Sequence, residues 1–529
     1  MALIAMTQTM TAVTVSWTGA VDQNWSTSGN WSGGTPGGND LIFNGVGSVT
    51  TAGQVDNIVD QNTSAISLIY TNSVGDNQYH TTQIQNGVTL TDTGTFSVGN
   101  LNQDNFSTTV NMVGSGTFLA SGTSFNVGMN GTNSASSGKG TLDMSGLSNF
   151  VYNASGGTWV IAGSGGAARA QGVINLAGFS NNITVGTINF NTGSGNNSSF
   201  HSLIQFGGGT NILNVGTINV CQTKAQFATV QFLSGTPASA GVRIRGTAGN
   251  SDDTSRATIV LGDRANTGGG NTDGEMLLNG HPVDIKASTL TVGQDRGSSS
   301  GTHSGIGVLQ FDQGTVDAQT ISMAVESSSV ATATATGTIT VGANGTLTVG
   351  SGGLSLANRS GGGTASGTLT INGGRLNATG NVIKSTTTST TGTINFWNNA
   401  TLILGAGKSI GTPAARIDTI VLDDGSGSTL HFNLDGSVAI TNINATSLSV
   451  GGSTVTITID SVANIAGTTT FHLMSYNNGA DPLGTSLFSL NLPSGYTGSI
   501  VDNSANQLID VSITPPIIPL VIWTAAANN

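Results

Sequence analysis

A four-residue phrase, Gly-Thr-Leu-Thr, opens both residues 345–354 (GTLTVGSGGL) and residues 367–376 (GTLTINGGRL), and in each an apolar residue follows nine places after the glycine. The two copies start 22 residues apart. Within a phrase, Leu347 and Val349 fall on one side of an extended strand and Thr346 and Thr348 on the other. Strands this short cannot bury their apolar side alone, so copies at a fixed interval have to lie on one another. The phrase recurs at Gly116-Thr117-Phe118, Gly140-Thr141-Leu142 and Gly392-Thr393-Ile394, with looser forms at Gly94-Thr95-Phe96, Gly307-Val308-Leu309 and Gly337-Thr338-Ile339. This pattern predicts a parallel β-solenoid over residues 45–424, in coils of about 22 residues that place Leu369 over Leu347 and Ile371 over Val349. A β-sandwich gives no reason for near-identical phrases one coil apart. About 20 such coils, at the strand spacing of about 4.8 Å, would make a rod roughly 100 Å long.

Composition agrees that strands prevail. The 529 residues include 78 glycines, 8% charged side chains and only two glutamates, Glu275 and Glu326, so the good helix formers are scarce. A hydrophobic content of 36% in short alternating runs is enough to bury a core, which separates this chain from disordered sequences. The net charge of −12 argues against a nucleic-acid partner, because phosphate binding needs a basic surface. No basic residue precedes Lys139, so the apolar start MALIAMTQTMTAVTVS lacks the positive region of a signal peptide. No run of 18 apolar residues is present, and membrane insertion by a helix is not expected. The single Cys221 excludes an internal disulfide and reads as a small buried residue on a strand.

The two ends differ from the middle. Residues 1–44 carry Trp17, Trp25 and Trp31, followed by Pro36, Asp40 and Phe43, and read as an N-terminal cap, with a carbohydrate-stacking platform as the alternative. Residues 425–514 contain longer alternating strands such as STLHFNLDG and STVTITIDSV and read as a C-terminal β-rich domain. Residues 515–529 combine a Pro-rich linker with the apolar run Ile517, Ile518, Leu520, Ile522 and Trp523. Trp523-Thr524 there echoes Trp17-Thr18, as if a further repeat or an inter-subunit strand begins.

The order W-x-G, N-W-S-x-G, Pro, Asp, Phe in residues 17–43, with the Gly-Thr-Leu-Thr phrases and the ending SLFSLNLPSGYTGSIVDNSANQLIDVSIT (486–514), resembles the autotransporter-associated β-strand repeat proteins of bacterial surfaces. That resemblance covers most of the chain. It implies a right-handed parallel β-helix and an extracellular setting, and it carries over no catalytic residue.

Site chemistry is sparse. Asp252, Asp253, Arg256, Asp263, Arg264, Asp273 and Glu275 form the best acid–base group for polysaccharide cleavage, in a stretch (246–305) whose polar runs read as projecting loops. A solvated acidic rim is the simpler expectation. The six histidines, His80, His201, His281, His303, His431 and His472, show no metal-ligand spacing, so no metal and no cofactor are expected. Asp423-Asp424-Gly425 reads as a turn with at most weak Ca²⁺ affinity. Thr346, Thr348, Thr368 and Thr370 would form a short outward hydroxyl ladder, a weak echo of ice-binding solenoids. The sequence therefore points to a non-enzymatic, extracellular structural protein, a rod, stalk or filament subunit. Its expected partner is itself, through Trp17, Trp25, Trp31 and residues Ile517 to Trp523. An adhesin binding surface glycans is the first alternative and a polysaccharide-cleaving enzyme the second.

Overall fold

The computed structural model describes residues 12–72, 78–99, 107–128, 137–163, 169–190, 200–222, 226–265, 270–298, 301–477 and 483–517. The chain is an all-β solenoid of about 14 turns. Its strands stack in parallel register, and three ladders of apolar side chains run through it. Met276, Leu309, Ile339, Leu369, Ile394, Ile420 and Leu448 succeed one another on one ladder. Ile285, Val316, Leu347, Leu376, Leu402, Leu430, Ile457 and Leu490 form the second. Leu290, Ile321, Leu354, Val382, Ile410, Ile443 and Met474 form the third. Nearly all of these side chains are fully buried in one core. Each burial of this kind contributes roughly 1.5–3 kcal/mol, which is why a row of single phrases suffices to hold a coil.

The register corrects the coil length. Leu369 lies over Ile339 and Leu347 lies under Leu376, not under Leu369. In both ladders the stacked residues are about 30 apart. A coil here carries one Gly-Thr phrase at Gly337 and another at Gly345, eight residues on and on a different side. The copy at Gly367 stacks on Gly337, so its distance from Gly345 is one coil less eight residues. The 22-residue interval is real, but it joins phrases on different sides of adjacent coils. The hydroxyl ladder changes accordingly. Thr368 and Thr370 pair with Thr338 and Thr340, while Thr346 and Thr348 pair with Arg375 and Asn377 on another side.

The solenoid also continues past both ends of the 45–424 segment. Thr14–Trp17 pairs in parallel with Asp40–Asn44, and that strand with Ser67–Thr71, so the Trp-rich segment forms the first rungs of the ladder. At the other end the parallel pairings run from Thr401–Leu404 through Thr429–Asp435 and Val455–Ala463 to Phe488–Asn491, straight across residue 424. The pattern changes only afterwards, where Thr469–Ser475, Leu508–Thr514 and Thr497–Asn503 pair antiparallel. Between 246 and 305 most of the expected loop is strand, namely Ala257–Arg264, Gly270–Leu277 and Pro282–Asp295. The polar run GNSDDTSR at 249–256 is a loop as expected.

One corner explains several small residues at once. Gly128, Ala162, Cys221, Gly262, Gly293 and Ala324 follow the buried Val127, Ile161, Val220, Leu261, Val292 and Met323 on separate coils, and all have positive φ. Left-handed backbone favours glycine, and the space is tight, since a Cβ on Gly262 would stand 1.6 Å from the Ile306 carbonyl oxygen. Cys221 is thus a small corner residue just beyond its strand, buried as expected but placed there by backbone shape. Gly262→Ala is expected to lose at least about 2 kcal/mol in urea unfolding, whereas Ala324→Gly is expected to be tolerated. Equal effects of the two would contradict this account of the corner.

Candidate functional site

The tryptophans expected to cap the first coil, and to offer contacts to a neighbouring copy or a sugar, are core. Trp17, Trp25 and Trp31 are 1%, 0% and 6% exposed and pack edge-on or stacked with one another and with Phe43. Trp25 Nε1 donates to Asn57 Oδ1 at 2.9 Å and Trp31 Nε1 to the Trp25 carbonyl at 3.0 Å, so these polar edges are used internally. No face of these rings is open to a sugar or to a neighbouring copy. Of the C-terminal contact residues, Ile517 is 94% exposed, while Ile518, Leu520, Ile522 and Trp523 lie outside the described residues.

The acid–base group in the middle of the chain does not converge. Asp253 receives Lys286 at 2.8 Å, Arg243 at 2.8 Å and Arg245 at 3.0 Å, which hold its carboxyl far below the usual carboxylate range. Asp252 binds the amide and hydroxyl of Thr254 in its own loop. Arg256 reaches Asp317 at 2.6 Å, Arg245 reaches Asp284 at 2.6 Å, and Arg296 pairs with Asp263. Apart from Arg243 and Arg245 with Asp253, which lie within one coil, these pairs link coil to coil, and all of them take up charges that general acid–base work would need free.

Asp273 and Glu275 are different. They lie two apart on Gly270–Leu277, on the opposite side of the strand from the buried Thr272, Gly274 and Met276. Burial, and then the charge of Glu275, push the Asp273 carboxyl up to about 6. Burial also raises Glu275, opposed by a hydrogen bond from Thr229 Oγ1 at 3.2 Å. Thr229 in turn contacts His201 Nε2 at 2.8 Å, and His201 stacks on Phe227, ring centroids 4.0 Å apart. Burial lowers the pKa of His201. In-register stacking brings His201, Phe227 and Asp273 into one column and Thr229 and Glu275 into the next. Asp263 belongs to another strand and is held by Arg296.

The turn at Asp423 leaves little for a cation. Its two carboxyl oxygens accept the amides of Gly425, Ser426, Gly427 and Ser453. Asp424 accepts the amide of Asn398. Four of the histidines each pair with one aspartate: His80 with Asp56, His303 with Asp295, His431 with Asp460 and His472 with Asp510. Among the described residues no group of three or more His, Cys, Asp or Glu side chains is placed to hold a metal ion.

A further set went unread in the sequence. Arg264, Asp295, Glu326 and Arg359 are paired in that order on successive coils, and the first three are fully buried. His303 Nδ1 meets Asp295 Oδ2 at 2.7 Å, and Arg359 Nε stands 3.9 Å from Glu326 Oε2. Burial raises the Glu326 carboxyl and lowers the pKa of Arg264. The intervals 264, 295 and 326 are 31 residues each, so the set becomes legible once the coil length is known. No protein-family model, no curated protein and no solved structure matches the chain.

Proposed function

We propose that the protein is a non-enzymatic structural element of a bacterial surface, a right-handed solenoid rod used as a stalk or as a filament subunit. What supports the reading is the uninterrupted parallel ladder from Thr14 to Asn491 around one apolar core. Such a stack resists bending because each coil is hydrogen-bonded and packed to the next. The ion pairs of the middle coils join neighbouring turns and serve the same end. The resemblance to autotransporter-associated repeats and the scarcity of cysteine fit an extracellular place for it. End-to-end association would use the C-terminal tail, beginning at the exposed Ile517, and not the buried tryptophans.

Electron microscopy at rising protein concentration tests the reading. Isolated particles are expected to be rods roughly 70 Å long, from about 14 turns at the strand spacing of about 4.8 Å. Unbranched fibres of rod width are expected at high concentration, and are expected to vanish when residues 515–529 are deleted. Rods that never associate would remove the filament and leave the stalk. Globular particles without a long axis would sink the rod altogether.

A further inference from the structure

We propose that a cleft beside the antiparallel C-terminal strands binds a neutral saccharide, a role separate from the rod itself. The cleft arises where the parallel ladder opens. Ile443–Ser449 pairs with Thr469–Ser475 only at Ile443 with Met474 and Asn444 with Ser475, so residues 469–473 part from the turn at 436–442. The space between them is about 600 Å³, a volume that suits a small ligand. Phe471 and His472 stand on one wall and Val438 and Ile440 on the other, with Thr412 and Asn444 also lining it.

The lining specifies the ligand class. Asn444 is 1% exposed, and its Nδ2 donates to the carbonyls of Gly411 at 3.2 Å and Thr441 at 2.9 Å. Both amide hydrogens are thereby used, which fixes the orientation of the group and makes Oδ1 an acceptor. That oxygen has no hydrogen-bond partner, and a buried acceptor of this kind calls for a donor from a ligand or water. The backbone that delivers Asn444 is tightly fitted, because Gly411 has φ +67° and a Cβ there would stand 2.4 Å from the Asn444 carbonyl oxygen. His472 is held by Asp510 at 2.7 Å, and Asp510 also accepts Asn503 Nδ2 at 2.8 Å, so the imidazole is aimed and not free to turn. The threonine hydroxyls of 441, 469 and 470 add groups that donate or accept.

Among the described lining residues there is no Lys, Arg, Asp or Glu, and His472, the one titratable side chain there, is already paired with Asp510, so the lining favours an uncharged ligand. The opposite requirement comes from Val438, 43% exposed, with Ile440 and Phe471, which present apolar surface to whatever enters. An uncharged molecule with hydroxyl donors on its edges and C–H groups on its face meets both demands, and a pyranose is such a molecule.

Saturation-transfer NMR on the full chain tests the proposal, with glucose, galactose, mannose, N-acetylglucosamine and their disaccharides, and galacturonate as the charged control, each at about 10 mM, a concentration suited to millimolar affinity. At least one neutral sugar is expected to receive saturation on its ring C–H protons. Val438→Trp and, separately, the exposed Thr470→Trp are expected to abolish the signal while circular dichroism stays unchanged. The proposal is overturned if no neutral sugar responds, if galacturonate alone does, or if the signal survives in both folded variants.

Discussion

Arg264→Ala is expected to cost about 3–5 kcal/mol, the usual range when one partner of a buried ionic set is removed. Arg264, Asp295 and Glu326 are fully buried on consecutive coils, and the two carboxylates are register neighbours. Without Arg264 the remaining cations are Arg359, 3.9 Å from Glu326, and the His303 imidazole if it carries its proton. The loss should be local, because in a solenoid each coil is stabilised chiefly by its two neighbours. Hydrogen exchange is therefore expected to quicken across Ala257–Arg264, Pro282–Asp295 and His303–Glu326, while Asp40–Asn44 and Tyr79–Ile84 keep their protection. Arg264→Met, which retains much of the side-chain volume, separates charge from packing. If Arg264→Met restores protection fully, the charge is dispensable and this account of the ladder fails.

The second large effect is one of pH. Asp92 points into the core, 1% exposed, in a column with Ala65, Ala120 and Tyr152. Neither carboxyl oxygen has a well-aligned hydrogen-bond partner, and neither does the Tyr152 hydroxyl. Burial pushes the carboxyl from 3.8 up to about 7, only partly offset by the Gly94 amide. Because the folded pKa lies above the unfolded one, the folded state holds this proton more tightly. The resulting stability is fully present below about pH 4 and is lost as the pH rises to about 7. A carboxyl raised from 3.8 to about 7 corresponds to about 4 kcal/mol. Asp92→Asn is expected to remove that dependence and to be the more stable protein at about pH 8, with little difference at about pH 4. Urea midpoints at the two pH values decide it. An unchanged pH profile in Asp92→Asn would show that Asp92 does not titrate across this window.

Strand alternation was fully legible, because it depends only on which neighbours are apolar. Leu347, Val349, Leu369 and Ile371 are all buried, as their spacing requires. Their stacking partners were not legible in the same way. The phrase Gly-Thr-apolar-Thr occurs on more than one side of a coil, and nothing local says which copy it will meet. The interval between copies therefore reads, from sequence alone, as the coil itself. The tryptophans illustrate the same limit, since a ring that could cover an end or face a ligand looks identical in sequence. Only the packing of Phe43 and Tyr70 against that group commits it to the core.

The candidate sites divide likewise. Asp273 and Glu275 stand out in the sequence as acids, but His201 and Thr229 join them only because coils of variable length bring residues 26 to 46 positions apart into register. Of the remaining acids of that stretch, Asp253 and Asp263 are ion-paired and Asp252 is bound within its own loop.

Taken alone, the sequence determined that this chain must be built of short parallel strands, since its glycine-punctuated alternation leaves helices without formers and single strands without a buried side. The tertiary structure decided the length of the coil, the burial of the N-terminal aromatic group, the column of buried charges and the cleft by Asn444. All four depend on contacts between residues tens of positions apart, and such contacts are set by register, which becomes definite only when every coil has closed on the one before it.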